Sequence, residues 1–304
     1  MYYTAEAILK MLREQTGISQ DELTEGIMTR ANLSRIENGE QSIRHDKFVA
    51  LLERMGESPE KFLSLTLGNE DHMTYKLRED LDNCLSIFNF TKADELIAQM
   101  EALKPFEKGL HKQYLLKSKA TIYRQRDKDL TKVHELLDEA IKMTKPNFNE
   151  KLVHTYFLTI SEVELIHSLA SFFHESGETD RAIELLEKLI QSIKKRMKDA
   201  YAKARLLTFT LHSISSYLGQ KKRYKEALAL CDEAIDAGRN NRVYGLLPML
   251  AYNKAYFLYY LGQRDKVKWW LYQAYFACIN LGQNKMALDI KQNAKENFNV
   301  DIIL

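Results

Sequence analysis

The sequence predicts an all-α chain: a compact unit of five short helices over residues 1–66, a linker over 67–72, and about five helical hairpins over residues 73–304. Three observations carry this. Glycine and proline are scarce, 12 and 4 residues in 304, which suits long uninterrupted helices. Apolar residues fall at helical spacing in segment after segment. One such pattern recurs at intervals of 40 to 49 residues, the mark of stacked repeats.

The elements follow in order. Residues 4–15 (TAEAILKMLREQ) place Ile8, Leu9, Met11 and Leu12 at helical spacing. Ser19 opens a second helix: its hydroxyl can accept from a free amide of the first turn, and Glu22 three residues on completes a capping box. Gly26-Ile27-Met28 breaks the pattern. Thr29 caps a third helix, with Leu33 and Ile36 facing inward and Gly39 as the stop. A fourth helix covers about 45–55, and Ser58-Pro59 starts a fifth, because proline is tolerated at the first helical position. The polar run Thr66–His72 (TLGNEDH) reads as a joint.

Beyond it the repeat begins. ADELIAQME (93–101), VHELLDEAI (133–141), AIELLEKLI (182–190), ALALCDEAI (227–235) and VKWWLYQAY (267–275) share small or apolar residues at offsets 0, 3, 4 and 7. Another helical stretch precedes each, and in the last three pairs Gly177, Gly219 or Gly262 separates the two, while Pro105, Pro146 and Pro248 fall at joints. A lone hairpin cannot bury its apolar faces, so stacking supplies the core. The pattern resembles degenerate tetratricopeptide repeats, which implies a right-handed superhelix whose first helices line the concave surface. The helix over 286–298 is expected to cap the stack, and Trp269-Trp270 to pack a hairpin or meet a second copy.

Composition narrows the function. At 45% hydrophobic and 28% charged, the chain can bury a core. Cys84, Cys231 and Cys278 are odd in number and far apart, which favours a reducing cytoplasm over a disulfide frame or a zinc site. Charges at Glu6, Lys10 and Arg13 argue against a signal peptide, and no apolar run is long enough to span a membrane. There is no H-E-x-x-H, phosphate-binding loop, G-x-S-x-G or Gly-rich nucleotide loop, and His167 and His174, seven apart, are too wide for one metal. Neither catalysis, a cofactor nor a metal is expected. The first 66 residues hold 8 Lys/Arg against 11 Asp/Glu, so placement of charge has to carry any case for nucleic acid.

The stretch SQDELTEGIMTRANLSRIENG (19–39) has that placement. Two helices joined by a short turn, with long polar side chains opening the second, match the helix-turn-helix pattern, in which the second helix enters the major groove. With Leu33 and Ile36 turned inward, Thr29, Arg30, Ala31, Asn32, Ser34 and Arg35 line the groove face. Arginine can bond guanine bidentately, asparagine adenine, and Ala31 can touch a thymine methyl. Gln20 and Arg44 are phosphate candidates. Glu37 is expected to pair with Arg13 or Arg35.

SQDEL and ANLSRIENG resemble the phage-repressor-like (Xre/Cro-type) helix-turn-helix family, in which positions matching Gln20, Arg30, Ala31 and Arg35 contact the operator. The family's usual small-residue turn is replaced here by Thr24–Met28. Such a head followed by five degenerate hairpins resembles the Rgg/PlcR group of Gram-positive quorum-sensing regulators (the RNPP family). That resemblance implies a homodimer reading an inverted repeat in double-stranded promoter DNA, with a re-imported signalling peptide bound in the repeats. It places the peptide on the first helices of the last three hairpins, at His167, Ser171 and His174; at His212, Ser213 and Ser216; and at Tyr252, Asn253, Tyr256 and Tyr260. His167, Ser213 and Asn253 stand where the family carries amides, and only Asn253 keeps one. The peptide would act on the two heads through the 66–72 joint. A protein-docking scaffold, or a regulator controlled by a protein partner, stays open as the alternative.

Overall fold

The computed structural model describes residues 4–59, 62 and 69–303. Among these, all regular structure is helical. The helices are α1 (Ala5–Thr16), α2 (Gln20–Thr24), α3 (Arg30–Glu37) and α4 (His45–Arg54), then α5 (Asn69–Ser86), α6 (Phe90–Glu101), α7 (Gly109–Ile122), α8 (Leu130–Thr144), α9 (Ile160–Glu175), α10 (Thr179–Arg196), α11 (Ala200–Gln220), α12 (Tyr224–Asn240), α13 (Leu247–Tyr260), α14 (Arg264–Asn280) and α15 (Asn284–Phe298). Consecutive pairs from α5/α6 to α13/α14 make the five expected hairpins, and α15 packs on α14. The fifth head helix expected from Ser58-Pro59 runs into residues outside the described ones. So do residues 67 and 68 of the expected linker; its remaining residues, 69–72, are the first turn of α5.

The chain forms two compact units, one ending at Asp199 and one beginning at Ala200. In the first, α1–α4 build a small head around Leu9, Ile18, Leu23, Leu33, Phe48 and Leu51. The local signals in the sequence explain its turns. Thr4, Ser19 and Thr29 each accept from a backbone amide of the helix they precede, and Ser19 with Glu22 forms the reciprocal capping box. Gly39 takes φ +74° just past the α3 C-cap Asn38. Arg13 grips Glu37 with two bonds of 2.6 and 2.9 Å, which ties α1 to α3. Arg35 is not a partner of Glu37; it donates to Asn32 at 2.6 Å instead.

The head is seated directly on the hairpins. Leu110 and Phe157 pack against its core. Gly26, at φ +68°, brings the α2–α3 turn so close to the backbone of Thr144, at the end of α8, that a Cβ would overlap it. Lys145 pairs with Glu25 at 2.6 Å. Arg54 is fully buried at the end of α4: Nη1 donates to the carbonyls of Leu23 (3.1 Å) and Glu25 (2.5 Å), and Nη2 donates to Glu162. Glu162 is the third residue of α9 and also caps it, accepting from the Thr159 amide at 2.7 Å. Glu53 accepts from the first α9 amide, Ile160, at 3.1 Å. One arginine therefore satisfies the open carbonyls of α2 and the carboxylate that starts α9. Burial pushes the Glu53 carboxyl up to about 7.

In the second unit the core of the last hairpin and α15 is built on Ala251, Ala255, Leu258, Leu271, Ala274, Ala287, Ile290 and Phe298. Small residues at these positions let the helices approach closely. Gly177 and Gly262 take positive φ at their turns, as the pattern requires. Gly219 does not separate its pair: it lies inside α11, and the left-handed residue is Lys222 (φ 61°). Its lack of a side chain serves packing instead, because the Phe257 ring of α13 occupies that space. Trp269 and Trp270 stack edge to face with centroids 4.7 Å apart, and Lys254 lies 4.0 Å over Trp270 while Trp269 stays half exposed.

Candidate nucleic-acid and peptide interfaces

The head presents one polar face. Thr29, Arg30, Ala31 and Arg35 are exposed along α3, Asn32 and Ser34 are half-buried, and Leu33 and Ile36 close the opposite side. Arg30 lies 3.4 Å from Asp21 at the start of α2, a loose exposed pair. The bond from Arg35 to Asn32 holds both side chains over the same surface. Gln20 is more constrained than its sequence position implies. Its amide nitrogen donates to Glu37 at 2.8 Å, in the same network as Arg13. Arg44 is exposed beside Asp46 (3.3 Å). Glu37 therefore holds the start of α2 through Gln20. A helix of this length with two arginines, an asparagine and a serine on its outer face can reach base edges, with the α3–α4 segment near a phosphate.

The ten peptide candidates divide between the two units. On α9, in the first unit, His167 and Ser171 are buried and the Ser171 hydroxyl donates to the His167 carbonyl of its own helix at 3.1 Å. His174 is half-buried with Nδ1 3.1 Å from the Thr179 hydroxyl, and burial lowers its pKa. On α11, Ser213 is buried and its hydroxyl donates to the Phe209 carbonyl at 3.3 Å. The Nε2 of His212 is buried with no hydrogen-bond partner among the described residues, and burial pushes the imidazole down to about 4. His167, Ser171, Ser213 and the His212 Nε2 are thus buried here.

Tyr252, Asn253, Tyr256 and Tyr260 share α13, and Ser216 lies on α11. Met249, Asn253, Tyr256 and Tyr260 follow one another at spacings of four, three and four along α13, and all are at least partly exposed. Tyr252 borders them, 6.1 Å from Phe298. On the neighbouring α11 a second partly exposed stripe runs through Tyr201, Arg205, Phe209 and Ser216. Tyr224, which the sequence reading did not single out, stacks on Tyr260 at 4.9 Å, with Tyr256 4.7 Å from Tyr260. Burial, then the hydroxyls of Tyr260 and Tyr224, push the Tyr256 phenol up to about 12, so it stays a neutral donor. An amide beside a flat tyrosine shelf can pair with an extended backbone and hold an apolar or aromatic side chain.

Residues 9–62 match the helix-turn-helix family. No curated protein matches the chain. Among solved structures, PlcR of Bacillus thuringiensis, in complex with the peptide PapR7 and DNA, is 15% identical with a TM-score of 0.61 over 95% of this chain and 99% of that one. Apo ComR of Streptococcus vestibularis, a competence regulator, is 16% identical with a TM-score of 0.53 over 97% and 98%. A point variant of the SHP pheromone receptor Rgg2 of Streptococcus dysgalactiae is 15% identical with a TM-score of 0.53 over 97% and 100%. The head is a helix-turn-helix domain, and the chain shares the fold of these three proteins over nearly its full length. Among the described residues no helix is long and apolar enough to cross a membrane, and no group of His, Cys, Asp or Glu is placed to hold a metal ion.

Proposed function

We propose that this chain is a DNA-binding transcription regulator of the Rgg/PlcR kind, whose repeats bind a short peptide that changes how a homodimer engages its promoter. The observation that carries the reading is the exposed polar face of α3 within a helix-turn-helix domain, set on a chain with the fold of PlcR, whose solved complex holds both a peptide and DNA. Two heads about one helical turn apart, roughly 34 Å, read an inverted repeat. Arg30 and Arg35 supply base contacts, with Thr29, Ala31, Asn32 and Ser34 beside them. The peptide lies on the α13 face, held by Asn253, Tyr252, Tyr256 and Tyr260, with Ser216 on α11 beside it. The contacts of the head with α8, α9 and the end of α10 give the signal a route besides the covalent connection into α5.

The test is fluorescence polarisation with purified full chain, a duplex selected by it from a random-sequence pool, and short peptides encoded near its gene. Each base-contacting arginine is expected to contribute about 1–3 kcal/mol, so Arg30→Ala with Arg35→Ala should abolish discrimination between the selected duplex and a scrambled one. Intact discrimination in that double variant would remove the DNA reading. One peptide should bind saturably, and Asn253→Ala should weaken it about ten-fold by leaving a backbone group unpaired. Linkage requires the duplex to change peptide affinity by the factor by which peptide changes duplex affinity. If no peptide binds while DNA does, the repeats are a docking arm for a protein partner.

A further inference from the structure

The head is a poor polyanion binder by its own charge, with 8 Lys/Arg against 11 Asp/Glu in the first 66 residues. Asp21 and Glu22 stand exposed at the start of α2, beside the groove face. Yet the six residues 194–199, at the end of α10, hold four cations and one acid. That segment is fastened to the head. The amides of Lys198 and Asp199 donate to the Gly56 carbonyl at 2.9 and 2.8 Å, an approach that a side chain at Gly56 would block. Lys198 Nζ lies 3.0 Å from the Thr16 hydroxyl and 3.3 Å from Glu57. Glu22 acts electrostatically on Arg196, which donates to the His154 carbonyl and lies over the Phe157 ring. Lys194, Lys195 and Lys198 remain exposed.

Thr16 is the last residue of α1, four before Gln20, and Asp21 touches Arg30. The basic end of α10 thus borders the side of the head from which Gln20 and Arg30 would meet a duplex. We infer that Lys195 and Lys198, with Lys194 beside them, contact the DNA phosphate backbone, so that the hairpin domain completes a footprint the head cannot make alone. The inference rests on the DNA-binding reading above. It gives the fixed seating of the head a purpose: a head on a loose joint would not keep these lysines against the same duplex. Contacts of this kind add affinity and register without sequence information.

The experiment measures binding of the full chain to its selected duplex and to a scrambled one across a range of salt. Lys195→Gln with Lys198→Gln removes both charges and leaves polar side chains in their place. It should lower the slope of log affinity against log salt by about 2, since each phosphate contact contributes about 0.9, and weaken both duplexes on the order of ten-fold at physiological salt. Lys285→Gln with Lys295→Gln, on exposed positions of α15, removes the same charge elsewhere and should leave the slope unchanged. An unchanged slope in the first variant, with Arg30→Ala and Arg35→Ala still losing discrimination, overturns the inference and leaves the DNA reading standing. An equal fall in both lysine variants overturns it too, since net charge alone would then be responsible. Failure to select any duplex removes both. Matching thermal unfolding of the variants and wild type rules out misfolding as the cause of a lower slope.

Discussion

Arg54→Ala should destabilise the first unit by about 3–5 kcal/mol, the usual cost of stripping one partner from a buried ion pair. The side chain is fully buried, and three acceptors depend on it: the Leu23 and Glu25 carbonyls and the Glu162 carboxylate. Deleting it leaves a buried negative charge at the start of α9 and two open carbonyls at the end of α2. Arg54→Lys should recover only part, because a single ammonium cannot span both ends as a planar fork does. Glu162→Gln should cost less than Arg54→Ala: it keeps the shape of the capping residue and an acceptor for Arg54, although the buried guanidinium loses its counter-ion. Urea unfolding of the full chain with a probe on the head distinguishes these. A double-mutant cycle isolates the pair, and a coupling energy near zero would mean that the two groups are held by packing alone. The loss also bears on function, since Arg54 holds the carbonyls on which the α2–α3 turn closes. Arg54→Ala should weaken the selected duplex even where the chain remains folded.

The elements legible in the sequence were the locally encoded ones. Ser19 with Glu22, and Thr29 ahead of Arg30, announce helix starts within four residues, and both caps form. The repeats were legible because each carries the same apolar stripe, and Leu186, Cys231 and Leu271, at offset 4 in their segments, are indeed buried. The seating of the head was not legible. Arg54 and Glu162 are 108 residues apart, and nothing near either of them marks a partner. Gly26 reads locally as a turn residue, whereas its closest neighbour is Thr144. Gly219 misled for the same reason: it marks a ring-packing site on another helix, not a turn.

The candidate sites divide along the same line. On α3 the outward residues follow from the inward ones, so the exposed face could be read from periodicity alone. On α9 and α11 polar residues interrupt an apolar helix and suggest a ligand; Ser171 and Ser213 donate to a carbonyl one turn back on their own helix, as serine commonly does. The stronger signal lay in spacing: Met249, Asn253, Tyr256 and Tyr260 form a stripe with a period of one helical face. Tyr224 could not be found that way, since it reaches Tyr260 from another helix.

Lowering the pH from about 7 to about 4 should cost the second unit about 3 kcal/mol through His212 alone. Burial depresses the folded-state pKa of that imidazole from 6.5 to about 4. Between those values the unfolded chain takes up a proton that the folded chain refuses, so stability falls as pH drops through 6.5 and levels off below 4. A difference of about 2.5 units at about 1.36 kcal/mol each sets the size. His111, buried on α7 against Asp46 of α4, is depressed in the same direction by burial and by Arg78, with Asp46 opposing. It adds an acid-sensitive contact between head and hairpins in the first unit. Glu53 has the opposite sign: its folded-state pKa is raised from 4.5 to about 7, so stability is lost as pH rises between those values and levels off above about 7. Glu53→Gln should flatten that loss. His212→Phe replaces the ring without the titrating group and removes a buried nitrogen that has no partner among the described residues, so it should be as stable as wild type or more so at pH 7 and should lose less on acidification. Thermal unfolding from pH 8 to pH 4 checks both variants. Parallel curves for His212→Phe and wild type would show that the imidazole titrates normally and is reached by water. That would in turn return His212 to the groove face and make it available to a bound peptide.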